Sequence, residues 1–235
     1  MYEAVRKDDY MVDEDLLSEE NLEELQEIKE YNGTITIGAG CTLSNILDCE
    51  IIPEILRKVI KNVASPAIRN VMTIAKHIYN TLTSGDVLSA LYALNSECNL
   101  ISSKGRRRIS IEEFIEKTNI AEDELLESIS FKNEFFNNMF YKKTVSNSSA
   151  SKPKVGCIAL ARVEKERESD IRIVFTEAEQ AVKRSRCCEE IIVGKNKEEI
   201  KENIGKIIKK YSEIVNPIAL DILKNYLIGE KVSID

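Results

Sequence analysis

The chain reads as an α+β protein, and three patterns carry that reading. Thr34–Gly38, Val155–Val163 and Asp170–Phe175 are short stretches of period-two, β-branched character, as strands are. The segments 177–190, 197–214 and 217–228 space their apolar residues at helical intervals. The C-terminal part runs strands first and helices afterwards, which gives packed α+β layers rather than a parallel βαβ array.

Taken in order, Met1 to about Glu30 is acidic and leucine-spaced, with Leu16, Leu17, Leu22, Leu25 and Ile28 on one helical or irregular apolar face. Asn32-Gly33 is a turn that introduces the strand Thr34–Gly38. Thr42 is positioned to cap a helix from Leu43 to Leu47. Pro53 starts a second helix, whose Ile55, Leu56, Val59, Ile60 and Val63 form an inward stripe. Asp86 can cap a third, from Val87 to Asn95. Cys98–Ser102 and Arg106–Ile111 make a hairpin around Ser103-Lys104-Gly105, so the basic cluster of Lys104, Arg106, Arg107 and Arg108 reads as a solvated turn. Thr144 to Lys154 is serine-rich and reads as a linker. The strands Val155–Val163 and Asp170–Phe175 then pair across Glu164 to Ser169, and the three helical segments follow.

Composition bounds the function. The 235 residues suffice for one large or two small cored domains, and 31% charged with 43% apolar residues is a globular balance. A formal charge of −7 argues against general nucleic-acid binding, which needs a field that attracts phosphates. No apolar run approaches the roughly eighteen residues of a bilayer span, and the acidic N-terminus is no basic-then-apolar leader; no membrane partner and a cytoplasmic location are expected. The six cysteines contain no C-x-x-C pair, and one histidine cannot complete a Cys/His zinc site, so no metal is expected and reduced structural thiols are. Cys187-Cys188 reads as two ordinary thiols at a helix end rather than a redox pair.

The stretch Ala64 to Asp86 is the candidate site. Ser65-Pro66 restarts the chain after a helix, because the residue before proline is driven out of the α region. Arg69, Asn70, Thr73, Ile74, Ala75, Lys76 and His77 then bring together a cation, hydroxyl and amide groups, small side chains and the only histidine. Such a loop can hold phosphate through N–H groups and one positive charge. The competing reading is an ordinary surface connection, since no Gly-x-Gly-x-x-Gly or Walker pattern is present. No acid, base or nucleophile constellation stands out, and no catalytic residue is assigned.

Ser65-Pro-Ala-Ile-Arg-Asn-Val-Met-Thr-Ile, followed by Ser84-Gly-Asp-Val-Leu-Ser-Ala-Leu, resembles the second flavin motif of the FAD-binding medium subunits of molybdenum hydroxylases, such as the xanthine dehydrogenase FAD subunit and the carbon monoxide dehydrogenase medium subunit. Gly38-Ala-Gly-Cys-Thr-Leu, Glu112-Glu-Phe-Ile, Thr118 with the segment after it, Phe140-Tyr141-Lys142 and Gly194-Lys195 match further family segments in order. The family runs Thr-Ile-Gly-Gly-Asn where this chain has Thr73-Ile74-Ala75-Lys76-His77. Its Gly-rich first flavin motif has no counterpart here: either the product is naturally short or its start lies upstream.

The resemblance implies the second lobe of a PCMH-type FAD-binding domain at 1–143, a linker at 144–154, and a C-terminal α+β domain at 155–235 with a small antiparallel sheet and three helices. It implies FAD as cofactor, with Arg69 and Asn70 on the turn before it and the backbone from Thr73 to His77 at the pyrophosphate. Asp86 would lie at the ribose or adenine end, and Thr42, Thr118 and Lys142 at the flavin side. Capping remains open for Thr42 and Asp86, and a snorkelling edge-strand lysine for Lys142. The implied partners are a molybdopterin-containing large subunit, a 2Fe-2S small subunit and NAD or another acceptor, with a homodimer in isolation. A relative that has lost FAD and serves as an assembly subunit is the alternative.

Overall fold

The structure, a computed structural model, describes residues 23–80, 85–116, 120–121, 123–144, 155–177 and 181–229. A 3-10 turn at Glu23–Gln26 leads into the hairpin of β1 (Ile28–Tyr31) and β2 (Thr34–Gly38). Asn32 and Gly33 take φ of 48° and 67°, the left-handed pair that matches a two-residue hairpin turn to strand twist. Ile28, expected on a helical or irregular apolar face, is instead a strand residue paired with Ile37, because its neighbours complete a ladder with β2.

Five helices follow: α1 (Leu43–Asp48), α2 (Glu54–Lys61), α3 (Pro66–Val71), α4 (Ile74–Asn80) and α5 (Asp86–Ala93). Next come β3 (Glu97–Ser102), β4 (Gly105–Ser110), α6 (Ile111–Ile115) and β5 (Leu125–Lys132). The strands form one antiparallel sheet in the order β1-β2-β5-β3-β4. The basic hairpin is matched by acid: Arg106 pairs with Glu127 at 2.7 Å, Arg107 with Glu124 at 2.7 Å and Arg108 with Glu97 at 3.1 Å.

The second sheet is β6 (Asn138–Lys143), β7 (Val155–Glu164), β8 (Arg167–Glu177) and β9 (Lys183–Arg184), antiparallel and in chain order. The strand before the serine-rich stretch thus pairs with the strand after it. The β7–β8 turn is tighter than its sequence suggests. Only Lys165 and Glu166 lie between the strands, at φ of 50° and 66°, where no glycine or asparagine marks the left-handed positions. The segment 177–190 is also not one helix. Glu177 ends β8, Lys183–Arg184 pairs with Val174 and Phe175 of that strand, and among the described residues of the segment only α7 (Arg186–Glu190) is helical. The cause is Arg184, whose guanidinium reaches Tyr92 O, Asn95 and Glu189 and so fixes this chain segment in extended form. α8 (Lys197–Tyr211) and α9 (Pro217–Ile228) complete the fold, capped by Asn196 and Asn216.

The second sheet is buried on both faces, which is why Val155 to Ala161 is an unbroken run of small and apolar residues. Ile158, Leu160 and Val174 face the first core, whereas Cys157, Ala159, Ile173 and Phe175 face α8 and α9. Between the layers lies α5, every residue of which is buried. An all-round apolar helix of this kind belongs inside a protein. It brings Asp86, its first residue, into the interior, and this placement creates the candidate site.

Candidate functional site

Most of the sequence-nominated residues turn out to build the loop they lie on. Thr42 caps α1 through a reciprocal box with Asn45, and its main chain bridges Thr73. Ser65 accepts from Ile68 N with Pro66 in the first helical position, as the Ser-Pro signal predicts. Arg69 Nη1 donates to the carbonyls of Val63 at 3.0 Å and Ala64 at 2.8 Å, closing the turn after α2. Asn70 Oδ1 accepts from Ser44 Oγ at 2.6 Å and ties α3 to α1.

The amides expected at a pyrophosphate are already engaged. Ile74 N donates to Cys41 O at 2.8 Å and Ala75 N to Ala39 O at 3.2 Å. Lys76 N donates to Thr73 Oγ1 at 3.2 Å, and His77 N to Thr73 O at 3.0 Å. Thr73, Ile74 and Ala75 are buried, and Lys76 is the exposed member. Thr118 lies outside the described residues.

His77 and Asp86 do come together, with two residues that sequence reading missed. The Asp86 carboxylate, 6% exposed, forms an ion pair with Lys143 at the end of β6. This takes Asp86 away from the capping role: the N-cap is Gly85, and no side chain caps the helix there. The Tyr141 hydroxyl lies beside the same carboxylate; burial and Asp86 both push its ionisation up. His77 is held below the ordinary histidine range by burial, opposed by Asp86 and aided by Lys143.

Strand register explains why Lys143 and not Lys142 reaches this place. Lys142 is opposite Cys157, which faces α8 and α9, whereas Lys143 is opposite Gly156 on the side of Asp86. A Cβ on Gly156 would lie 3.5 Å from Asp86 Oδ1 and 2.3 Å from Thr176 Oγ1, so the missing side chain makes room for both. The period-two rule, applied to β6 with Met139 and Tyr141 on the first core, would have selected Lys143.

The comparisons accord with this architecture. Residues 4–131, more than half of the chain, match the family model of the FAD binding domain in molybdopterin dehydrogenase, and the chain belongs to that family. The expected membership among FAD-binding components of the molybdenum hydroxylases is thereby borne out, as is FAD as the cofactor of the family.

Among individual proteins, aldehyde oxidase 2 of Macaca fascicularis is 29% identical over 130 residues, 48% of this chain and 10% of that protein. The nicotinate dehydrogenase FAD-subunit of Eubacterium barkeri is 33% identical over 98 residues, 40% of this chain and 33% of that subunit. The match therefore spans a third or less of these relatives. Carbon monoxide dehydrogenase from Hydrogenophaga pseudoflava superposes with a TM-score of 0.75 at 21% identity, covering 88% of this chain and 77% of that one. Quinoline 2-oxidoreductase from Pseudomonas putida 86 gives 0.73 at 18% identity, covering 89% and 77%. At these identities the likeness shows the fold, and its coverage extends into the second sheet.

The residues present suit an FAD in kind: a buried carboxylate, held by Lys143, able to accept from ribose hydroxyls, and the exposed cation of Lys76 for phosphate. The amide cradle is the part the loop has already used. Among the described residues no group of three or more His, Cys, Asp or Glu could hold a metal, and no helix is long and apolar enough to cross a membrane.

Proposed function

We propose that this chain carries and orients the flavin of a molybdenum hydroxylase. Electrons would arrive from the 2Fe-2S centres of a small subunit, after substrate oxidation in a molybdopterin-containing large subunit, and leave to NAD or another acceptor. When bound, FAD supplies the redox chemistry, and the protein supplies position and electrostatics.

The observation that carries the reading is the buried Asp86 carboxylate held by Lys143 where α5 meets β6. Asp86 accepts hydrogen bonds from the ribose end of the dinucleotide, and Lys143 holds that carboxylate in place. Lys76 contributes charge at the pyrophosphate. The Thr73 to His77 backbone serves as the wall of the site, its N–H groups being shared with Cys41, Ala39 and Thr73.

That internal use of the amides favours a second reading, in which the fold is kept for subunit assembly and FAD is held weakly or not at all. Purified protein with a visible flavin spectrum, and thermal stability that rises when FAD is added, supports the redox reading. A colourless protein whose stability FAD leaves unchanged overturns it in favour of assembly.

A further inference from the structure

The sides of α5 offer its neighbours mainly apolar surface: Val87, Leu88, Ala90, Leu91 and Ala93 are buried in the first core, and Ser89 Oγ is spent on Gly85 O at 3.0 Å. Burial of this kind is non-directional, so it keeps the helix between the layers without deciding where along its axis the helix stops. Directional contacts decide that, and the second sheet supplies them at both ends. At the first residue, Asp86 is paired with Lys143 of β6. At the other end, about 12 Å away at about 1.5 Å per residue, Arg184 Nη1 of β9 donates to Tyr92 O at 3.1 Å and Arg172 Nη1 of β8 to Ala93 O at 3.2 Å. Cations are favoured at the carbonyl end of a helix. Both guanidiniums are fixed from behind: Arg184 by Glu189, and Arg172 by Glu134, by Asp170 at 3.1 Å and by the Phe136 ring, whose centroid is 4.8 Å away. The Tyr92 hydroxyl adds a bond to Glu112 of α6, which Arg186 of α7 holds at 3.0 Å.

We propose that Arg172 and Arg184 are positioning residues for the dinucleotide: by holding the C-terminal end of α5 they set where Asp86 stands at the other end. The proposal rests on FAD being held at Asp86. A ribose that donates to the Asp86 carboxylate competes with Lys143 for it, so in the occupied site the register of α5 depends on the two arginines. A binding group has to be held within about 0.5 Å of its working position, and a buried helix carries a displacement at one end to the other.

Arg172→Lys and Arg184→Lys keep the cation and lose the planar fork. Two measurements on the full chain, with urea unfolding to show that each variant is folded, test the proposal. The first needs no flavin: amines are acylated and the labelled sites read by mass spectrometry. Lys143 Nζ is shielded by Asp86, and Lys132, bonded to Thr34 Oγ1 at 2.8 Å on the first sheet, is the internal reference. Labelling of Lys143 should rise several-fold in either variant, as it should in Asp86→Asn, with Lys132 unchanged. Wild-type labelling of Lys143 in both variants, or a rise shared by Lys132, overturns the proposal. The second is FAD affinity. Asp86→Asn should lose about tenfold and either arginine variant about threefold to tenfold. Asp86→Asn combined with Arg172→Lys should lose no more than Asp86→Asn alone, because the arginine acts through Asp86. Losses that multiply in the combined variant mark a general loosening of the fold and overturn the proposal while leaving the flavin reading intact. If Arg184→Lys does not fold, Arg172→Lys decides both measurements. FAD that fails to bind the parent chain overturns the flavin reading, and the labelling still decides whether the two arginines place Asp86.

Discussion

Arg184 and Glu189 form a two-pronged ion pair, Nε to Oε1 at 2.8 Å and Nη2 to Oε2 at 3.0 Å, with side chains only 4% and 7% exposed. The pair is also a joint between layers. Arg184 donates to Tyr92 O at 3.1 Å in the last turn of α5 and to Asn95 Oδ1 at 2.6 Å just beyond it, while Glu189 accepts from Ile173 N of β8 at 2.7 Å. Arg184→Met should therefore cost about 3–5 kcal/mol in urea unfolding, because it leaves a carboxylate buried without its countercharge. Adding Glu189→Gln, which removes that charge and keeps an acceptor for Ile173 N, should recover part of the loss.

Glu168 presents the opposite case. It is 7% exposed, and among the described residues its Oε2 has no hydrogen-bond partner. Burial raises its pKa, with Lys197 opposing. The folded state then binds the proton more tightly than the unfolded one, so stability falls as pH rises from the ordinary glutamate range of about 4.3 through the raised folded value. Glu168→Gln should stabilise the protein at pH 7 by about 1 kcal/mol and give little gain at pH 4. Thermal melts at the two pH values check this; equal effects at both would contradict it.

The sequence was most legible where one signal decides one element. Asn32-Gly33 has a left-handed preference that located the turn before β2, though not the strand ahead of it, and Ser65-Pro66 located the start of α3. Reading failed where distant partners decide: the extended course of Lys183–Arg184 depends on Tyr92, Asn95 and Glu189, none of which local propensity can weigh. The residues around the Asp86–Lys143 ion pair were legible in part. His77 and Asp86 stood out by type and by resemblance, whereas Lys143 depends on the β6–β7 register, and choosing between adjacent lysines needs the face of the strand to be known.

Gly38 matches a family segment for a structural reason. A Cβ there would lie 2.1 Å from the carbonyl oxygen of Leu25, a backbone atom that no side-chain rotation can clear. The same carbonyl accepts from Gly40 N at 2.8 Å, and Gly38 N donates to Glu27 O at 2.9 Å. Gly38→Ala should displace the turn at Glu23–Gln26 and cost about 2–4 kcal/mol, a steric cost added to lost hydrogen bonds. Amide hydrogen exchange is the sensitive readout, with protection lost first at Gly38 and Gly40.

Lys76 and Arg69 occupy one loop and should respond differently, which separates ligand binding from scaffolding. Arg69 spends its guanidinium on the carbonyls of Val63 and Ala64, so Arg69→Ala should lower stability by about 1–2 kcal/mol in urea. Lys76 is exposed beside the wall assigned to the pyrophosphate, and Lys76→Ala should leave the unfolding midpoint nearly unchanged. Its effect should appear in FAD titrations as a loss of about threefold to tenfold at low salt, shrinking as added salt screens the charge. An FAD affinity indifferent to Lys76→Ala at low ionic strength would place the phosphates elsewhere, and with them the assignment of this loop.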